Sequence, residues 1–333
     1  MFELSFIWAG IIAFAVLTYV ILDGFDLGAG ILFPLAEGER EKAMMMNSIA
    51  PIWDGNETWL VLGGGGLFAV FPLAYAVIMP ALYMPIILML LALIFRGVAF
   101  EYRWRTARWK PVWDVAFFGG SIVAAFMQGI ALGALVQGIE VADRAYAGGW
   151  WDWLSVFSLL TGVAVIVGYA LLGSTWIILK TEGPLQRRMQ NHAWYLGAAT
   201  LFFIGIVSIL TPFQDPVYFQ RWLNLPGSIL SVLMPGAVIA AAWALFTGLN
   251  AGKDAQPFLA SLTIFVLCFI GIGISFYPNI VPPGLTIKEA AAPDESLWFA
   301  LVGTLVLVPM ILVYTAYAYW VFRGKIDPEE GYH

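Results

Sequence analysis

The stretch 154–179 runs for 26 residues without a single Asp, Glu, Lys or Arg. A helix needs about 20 such residues to cross a hydrocarbon core about 30 Å thick, so a run of this kind reads as a membrane span. It is one of nine apolar segments, at 5–35, 49–71, 73–98, 112–138, 154–179, 195–211, 228–250, 257–277 and 297–322. Composition agrees: 61% of the chain is hydrophobic and only 11% charged, against about 25% charged in an ordinary soluble domain. Backbone groups in lipid must satisfy one another, which leaves helices or closed barrels. Alternating ten-residue strands of the barrel type are not visible. The sequence therefore predicts an all-α polytopic membrane protein, a single membrane domain over residues 1–333.

Several function classes fall away on composition. A net charge of −6 excludes a generally basic surface for nucleic acid. Cys268 is the one cysteine, so neither an internal disulfide nor a thiolate metal cluster can be built. The first apolar run follows no basic n-region and contains no small-residue cleavage pattern, so it is expected to be retained as the first span. Loops held in the cytoplasm collect Lys and Arg. With the N-terminus outside, the inner segments hold twelve of the sixteen basic residues, among them Arg40, Lys42, Arg103, Arg105, Arg187 and Arg188. The outer loops hold three, Arg144, Arg221 and Lys288, and Arg96 lies within the third run. The expected topology is nine spans with the N-terminus outside and His333 inside. Trp150, Trp151, Trp153 and Trp222 fall in outer loops, where indoles suit the membrane interface.

Ionisable residues inside such runs carry the chemistry, because a central Asp costs about 2.5–3.5 kcal/mol on insertion scales and turns toward a partner or water. Asp23 and Asp26 interrupt the first run, three residues apart and so on one helix face. The second run opens with Trp53-Asp54-Gly55-Asn56-Glu57. As a helix it sets Asp54 and Glu57 on one face with Trp53 a turn from Asn56 and Glu57. Pro51 suits its first turn and Asn47 or Ser48 suits its cap. Arg96 and Glu101 end the third run and Asp114 starts the fourth. Arg96 is the expected countercharge, since one guanidinium fork holds one or two carboxylates. Two readings remain open: a structural ion-pair lattice, and a hydrated proton or ion path from the cytoplasm. His192 and His333 are not placed to ligate a haem in the membrane. Met44–Met46 are expected to pack at the interface rather than bind metal. Gly63–Gly66 are expected to serve close helix packing, although a broken transporter helix would also use them.

Residue for residue, the chain resembles a known family. Leu22-Asp23-Gly24-Phe25-Asp26-Leu27-Gly28-Ala29-Gly30, Asn47-Ser48-Ile49-Ala50-Pro51 with Trp53-Asp54-Gly55-Asn56, and Phe95-Arg96 with Phe100-Glu101-Tyr102-Arg103 are similar to subunit II of the cytochrome bd-type quinol oxidases. Val308-Pro309 and Tyr319-Trp320 resemble that family's last span. The short outer loops resemble its cyanide-insensitive branch. The resemblance implies two four-helix bundles plus a peripheral helix in a bacterial cytoplasmic (inner) membrane. It also implies a heterodimer with a subunit I that carries haem b together with haem d or a further haem b, oxidises quinol and reduces dioxygen to water. Small single-span subunits can join, membrane lipid surrounds the assembly, and a quinone can occupy subunit II. It expects no catalytic residue and no metal ligand in this chain. Within it, Asp54 matches the Asp associated with a proton route, and Glu57, Asp23 and Asp26 are the further proton-path candidates. Trp53, Arg96, Asn56 and Glu101 are candidates for quinone binding or structural support. The competing class is a secondary transporter with an intramembrane carboxylate site. Reporter fusions in the loops around Arg105 and Trp151 should score on opposite sides of the membrane; the same side for both would remove at least one span.

Overall fold

The computed structural model describes residues 3–225 and 227–326, which leaves His333 outside the described residues. The chain is helical almost throughout: α1 (Leu4–Leu32), α2 (Gly38–Asn47), α3 (Trp53–Val70), α4 (Pro72–Ala81), α5 (Tyr83–Arg105), α6 (Lys110–Gln137), α7 (Val156–Lys180), α8 (Pro184–Leu210), α9 (Pro216–Leu223), α10 (Gly227–Asn250), α11 (Ala255–Phe276), α12 (Ile287–Ala290) and α13 (Asp294–Val321). Two short antiparallel hairpins, Val141–Ala142 with Ala145–Tyr146 and Asn279–Val281 with Leu285–Thr286, sit in the connections. α1, α3, α5 and α6 form one bundle and α7, α8, α10 and α11 a second. The two meet where α1 and α6 pack on α7, and α13 lies at the periphery, packed mainly on α1 and α3.

Among the described residues eight helices are long and apolar enough to cross a membrane. The expected second span, α3, is helical where the sequence placed it but is too polar at its start to join them. At about 1.5 Å per residue its 18 residues still reach about 27 Å. It runs antiparallel to α1, with Asn56 against Asp26, Gly63 against Val16 and Gly66 against Ile12. The third run bends. α4 ends at Ala81 and α5 starts at Tyr83, while Ile86 N–H still donates to the Leu82 carbonyl across the joint. Pro80 and Pro85 flank that joint, each without an N–H to give the ladder. α5 rather than 73–98 is therefore the span, and α4 packs against the two hairpins and α12. α8 begins at Pro184, eleven residues before the apolar run, so His192 lies on a helix and not in a loop.

Because lipid supplies no hydrophobic drive between helices, close approach and hydrogen bonds hold these bundles. Gly28 of α1 faces Gly173 of α7 so tightly that a Cβ on either would strike the other's backbone. A Cβ on Gly129 or Gly133 of α6 would strike Thr161 or Ser158 of α7, and the Thr161 hydroxyl donates to the Gly129 carbonyl at 2.8 Å. The Ser155 side chain and Ser158 close a capping box at the start of α7. Outward faces carry Val61, Ile94, Val232 and Val302, all exposed, as lipid-facing positions do. Gly63 and Gly66 face α1, Gly64 and Gly65 face open space, and α3 continues through all four. They mark packing, not a helix break. Gly28→Ala should lower the stability of the detergent-solubilised protein by about 1–3 kcal/mol through overpacking, read as a lower unfolding midpoint. Gly10→Ala, whose Cβ meets nothing, should leave it unchanged.

Candidate functional site

Three helices of the first bundle bring charge to one buried point. α1 supplies Asp23 and Asp26, α3 supplies Asn56 and Glu57, and α5 supplies Arg96, which is fully buried. Arg96 Nη1 donates to Glu57 Oε1 at 2.8 Å and to Asp23 Oδ1 at 3.3 Å. The guanidinium carbon lies 6.0 Å from the Trp53 ring and 5.8 Å from the Phe100 ring. Those two rings stack at 4.9 Å and 5°. The Trp53 indole also lies over Gly97, one residue on from Arg96, where even an added Cβ would meet it at ordinary contact.

Asp26 is held differently. Asn56 Nδ2 donates to Asp26 Oδ2 at 2.7 Å, and the Tyr319 hydroxyl of α13 donates to Asn56 Oδ1 at 3.0 Å. A neutral branch leads toward the second bundle. The Tyr169 hydroxyl of α7 donates to Gln128 Oε1 at 2.7 Å, and Gln128 Nε2 of α6 donates to the Tyr19 hydroxyl at 2.8 Å. Tyr19 lies one helical turn before Asp23 on α1. Among the described residues Asp23 Oδ2, Asp26 Oδ1 and Arg96 Nε and Nη2 are buried without a hydrogen-bond partner. Polar atoms rarely stay so in an apolar interior.

The candidates divide by burial. The Asp23 side chain is 1% exposed and that of Glu57 25%. Asp54, in the first turn of α3, is exposed and forms no ion pair among the described residues. The expected shared face of Asp54 and Glu57 thus splits, and only Glu57 turns inward. α3 also starts at Trp53, two residues after Pro51, and the Ser48 hydroxyl donates back to the Met45 carbonyl at 2.7 Å instead of capping. Glu101 lies away from the cluster, paired at 3.4 Å with Arg105 on the exposed end of α5.

A second charged tier stands near the end of α5, around Arg103. Arg103, also fully buried, donates from Nε to Asp114 Oδ1 at 2.5 Å and from Nη2 to Glu39 Oε2 at 3.0 Å. Lys42 reaches Asp114 Oδ2 at 2.7 Å. α2 is thereby tied to the first bundle, and Arg188 of α8 ties it to the second through Glu41 at 2.6 Å. Met44, Met45 and Met46 of α2 are buried in the main core, as packing residues are. Asp114 therefore belongs to this tier and not to the Arg96 cluster. His192 Nδ1 is 2.9 Å from the Arg188 carbonyl on the second turn of α8.

Sequence reasoning missed Tyr319, Gln128, Tyr169 and Tyr19. Their signal was a neutral polar group in an apolar run, which the search for charged residues passed over.

A family model described as cytochrome bd terminal oxidase subunit II matches residues 4–322. The cytochrome bd ubiquinol oxidase subunit 2 of Bacillus subtilis is 30% identical over 341 residues, covering 99% of this chain and 99% of that protein. The cytochrome bd-I ubiquinol oxidase subunit 2 of Escherichia coli is 29% identical over 364 residues, covering 98% of this chain and 96% of its own length. In fold the chain is similar to a chain of the bd oxidase structure from Geobacillus thermodenitrificans, with a TM-score of 0.76 at 16% identity, over 96% of this chain and 99% of that one. With residues 4–322 matched by the family model and 99% of the chain covered by a relative 30% identical, the chain belongs to the cytochrome bd terminal oxidase subunit II family and is one subunit of an oxygen-reducing respiratory oxidase.

Proposed function

We propose that this chain supports a haem-bearing subunit I in a quinol:oxygen oxidoreductase and gives protons a cytoplasmic way into the complex. The observation that carries the second half is the inward gradient of carboxyls: Asp54 exposed, Glu57 25% exposed, Asp23 1% exposed, with Arg96 bridging the last two. Three acids around one guanidinium leave more carboxyl oxygens than one cation can satisfy, so the cluster has sites for exchangeable protons. A purely structural lattice would have reason to balance its charges, because an unpaired buried ion is costly. In this reading Asp54 gathers protons at the mouth, Glu57 receives them and Asp23 and Asp26 hold them inside. Arg96, Asn56 and Trp53 fix the geometry, and Glu101 stays outside the path as a surface ion pair.

The topology that serves this function is nine spans, α3 included, with the N-terminus outside. That orientation puts the basic, ion-paired tier around α2 in the cytoplasm, as the positive-inside rule requires. Haem b and haem d, or a further haem b, belong to subunit I, where quinol is oxidised and dioxygen is reduced. A quinone bound to subunit II and small single-span subunits complete the proposed assembly. Proton-motive force then follows from position alone: quinol releases protons on the outer side and oxygen reduction draws them from the inner side. The transporter alternative loses its helix break, since α3 is continuous from Trp53 to Val70.

The test uses the purified complex with subunit I. Glu57→Gln and Asp54→Asn each keep size while removing the titratable proton. Both should assemble with full haem. Glu57→Gln should slow quinol-driven oxygen uptake by on the order of a hundredfold, the lower range for removal of a proton-transferring group, and Asp54→Asn should slow it less. Full uptake in both variants would remove the proton route. Low haem in both would assign the two carboxyls to the lattice.

A further inference from the structure

α13 is held in an unusual way. Of its 28 residues only Leu297 and Leu301 are buried, both near its start, where the Trp8 indole donates to the Leu297 carbonyl at 3.1 Å. Side-chain packing over so little of its length does not fix the far end of a helix in lipid, where apolar contact with a neighbour replaces equally apolar contact with acyl chains. The far end is fixed by a polar clamp instead. After α13 the chain turns at Gly324, whose φ of +104° suits glycine. Lys325 Nζ then donates to the Ile178 carbonyl at 3.1 Å and the Thr181 carbonyl at 3.0 Å, and pairs with Asp254 Oδ2 at 2.6 Å. Ile178 lies in the last turn of α7 and Thr181 just after it, where carbonyls lack helical partners and favour a cation. Lys180 Nζ answers by donating to the Phe322 carbonyl at 2.5 Å, and Ile326 N–H donates to the Lys180 carbonyl at 2.8 Å.

Six residues before Lys325, the clamp sets Tyr319 among Phe25 and Trp176, with its hydroxyl on Asn56 Oδ1. The Asn56 amide has an end that only accepts and an end that only donates. With the phenol O–H donating to Oδ1, the NH₂ end must face Asp26. Without that donor the amide can turn, and its oxygen would then face a carboxyl oxygen. The charged and titratable groups around Asp26 are Asp23 from α1, Glu57 from α3, Arg96 from α5 and Tyr319 from α13.

We propose that Tyr319 is a positioning residue that fixes which end of the Asn56 amide meets Asp26, and that the Lys325 clamp on α7 and α11 holds it there. The peripheral helix thereby seals the Asp26 side of the cluster and couples the second bundle to it. The consequence for turnover rests on the proton reading of Asp26 given above; the geometry does not.

The experiment uses the assembled complex with four variants: Tyr319→Phe, Asn56→Leu, the two combined, and Lys325→Gln. The infrared band of Asp26 is assigned by its loss in Asp26→Asn. Tyr319→Phe should keep full haem, shift that band, and lower kcat by about three- to tenfold, the scale of one hydrogen bond, with the quinol KM unchanged. The combined variant should be no slower than Asn56→Leu, since coupled residues are not additive. Lys325→Gln should shift the band in the same direction. If Asn56→Leu does not assemble, Tyr319→Phe with Lys325→Gln replaces it and should again not multiply. An unmoved Asp26 band in Tyr319→Phe, or losses that multiply, would overturn the positioning role. A moved band with undiminished kcat would keep it and remove only the proton role of Asp26.

Discussion

Arg96 is a cation with no exposed surface, inside a bundle whose walls are aliphatic and aromatic. Such a charge is tolerable only when anions and hydrogen bonds surround it. That requirement organises the first bundle. α1 and α3 must come close enough to lend Asp23 and Glu57, and α6 must pass close by, which Gly120 permits because a Cβ there would press on the Ala92 carbonyl and on Arg96 itself. Trp53 and Phe100 close one flank by stacking beside the guanidinium. The residues that surround the charge are thus also the residues that fix where the helices cross. The same logic recurs in the Arg103 tier, where ion pairs draw α2 onto both bundles beside the buried Met44–Met46.

Much of this was legible in the chain. Long uncharged runs show their own spans, because lipid imposes length and composition together. α1, α6, α7, α10, α11 and α13 all fall within a few residues of their apolar segments. The meeting of Asp23, Glu57 and Arg96 was also legible, since few groups were available and each needed a partner. What the sequence hid was angular. Asp54 and Glu57 are three residues apart, yet Glu57 lies one turn from Trp53 on the inward stripe while Asp54 lies beside it, and spacing alone does not say which stripe faces in. The bend at Leu82 was hidden because Pro80 and Pro85 sit in an unbroken apolar run. Tyr319 was hidden by distance: 263 residues separate it from Asn56, and its hydroxyl carries no charge to flag it.

A buried ion cluster is weak evidence for stability, since apolar replacements of equal volume are often neutral or stabilising. We propose that these charges are kept for proton traffic into the oxidase, with the packing built around them. The most direct measurement replaces the whole hub at once, Arg96→Met with Asp23→Leu and Glu57→Met, and compares it with Arg96→Met alone. Haem content and quinol-driven oxygen uptake are read on the same complex. Arg96→Met alone should assemble poorly, because it strands buried carboxyls at a cost of about 3–5 kcal/mol. The triple variant should recover haem content and remain without turnover. A triple variant that assembles and reduces oxygen at the wild-type rate would contradict the account.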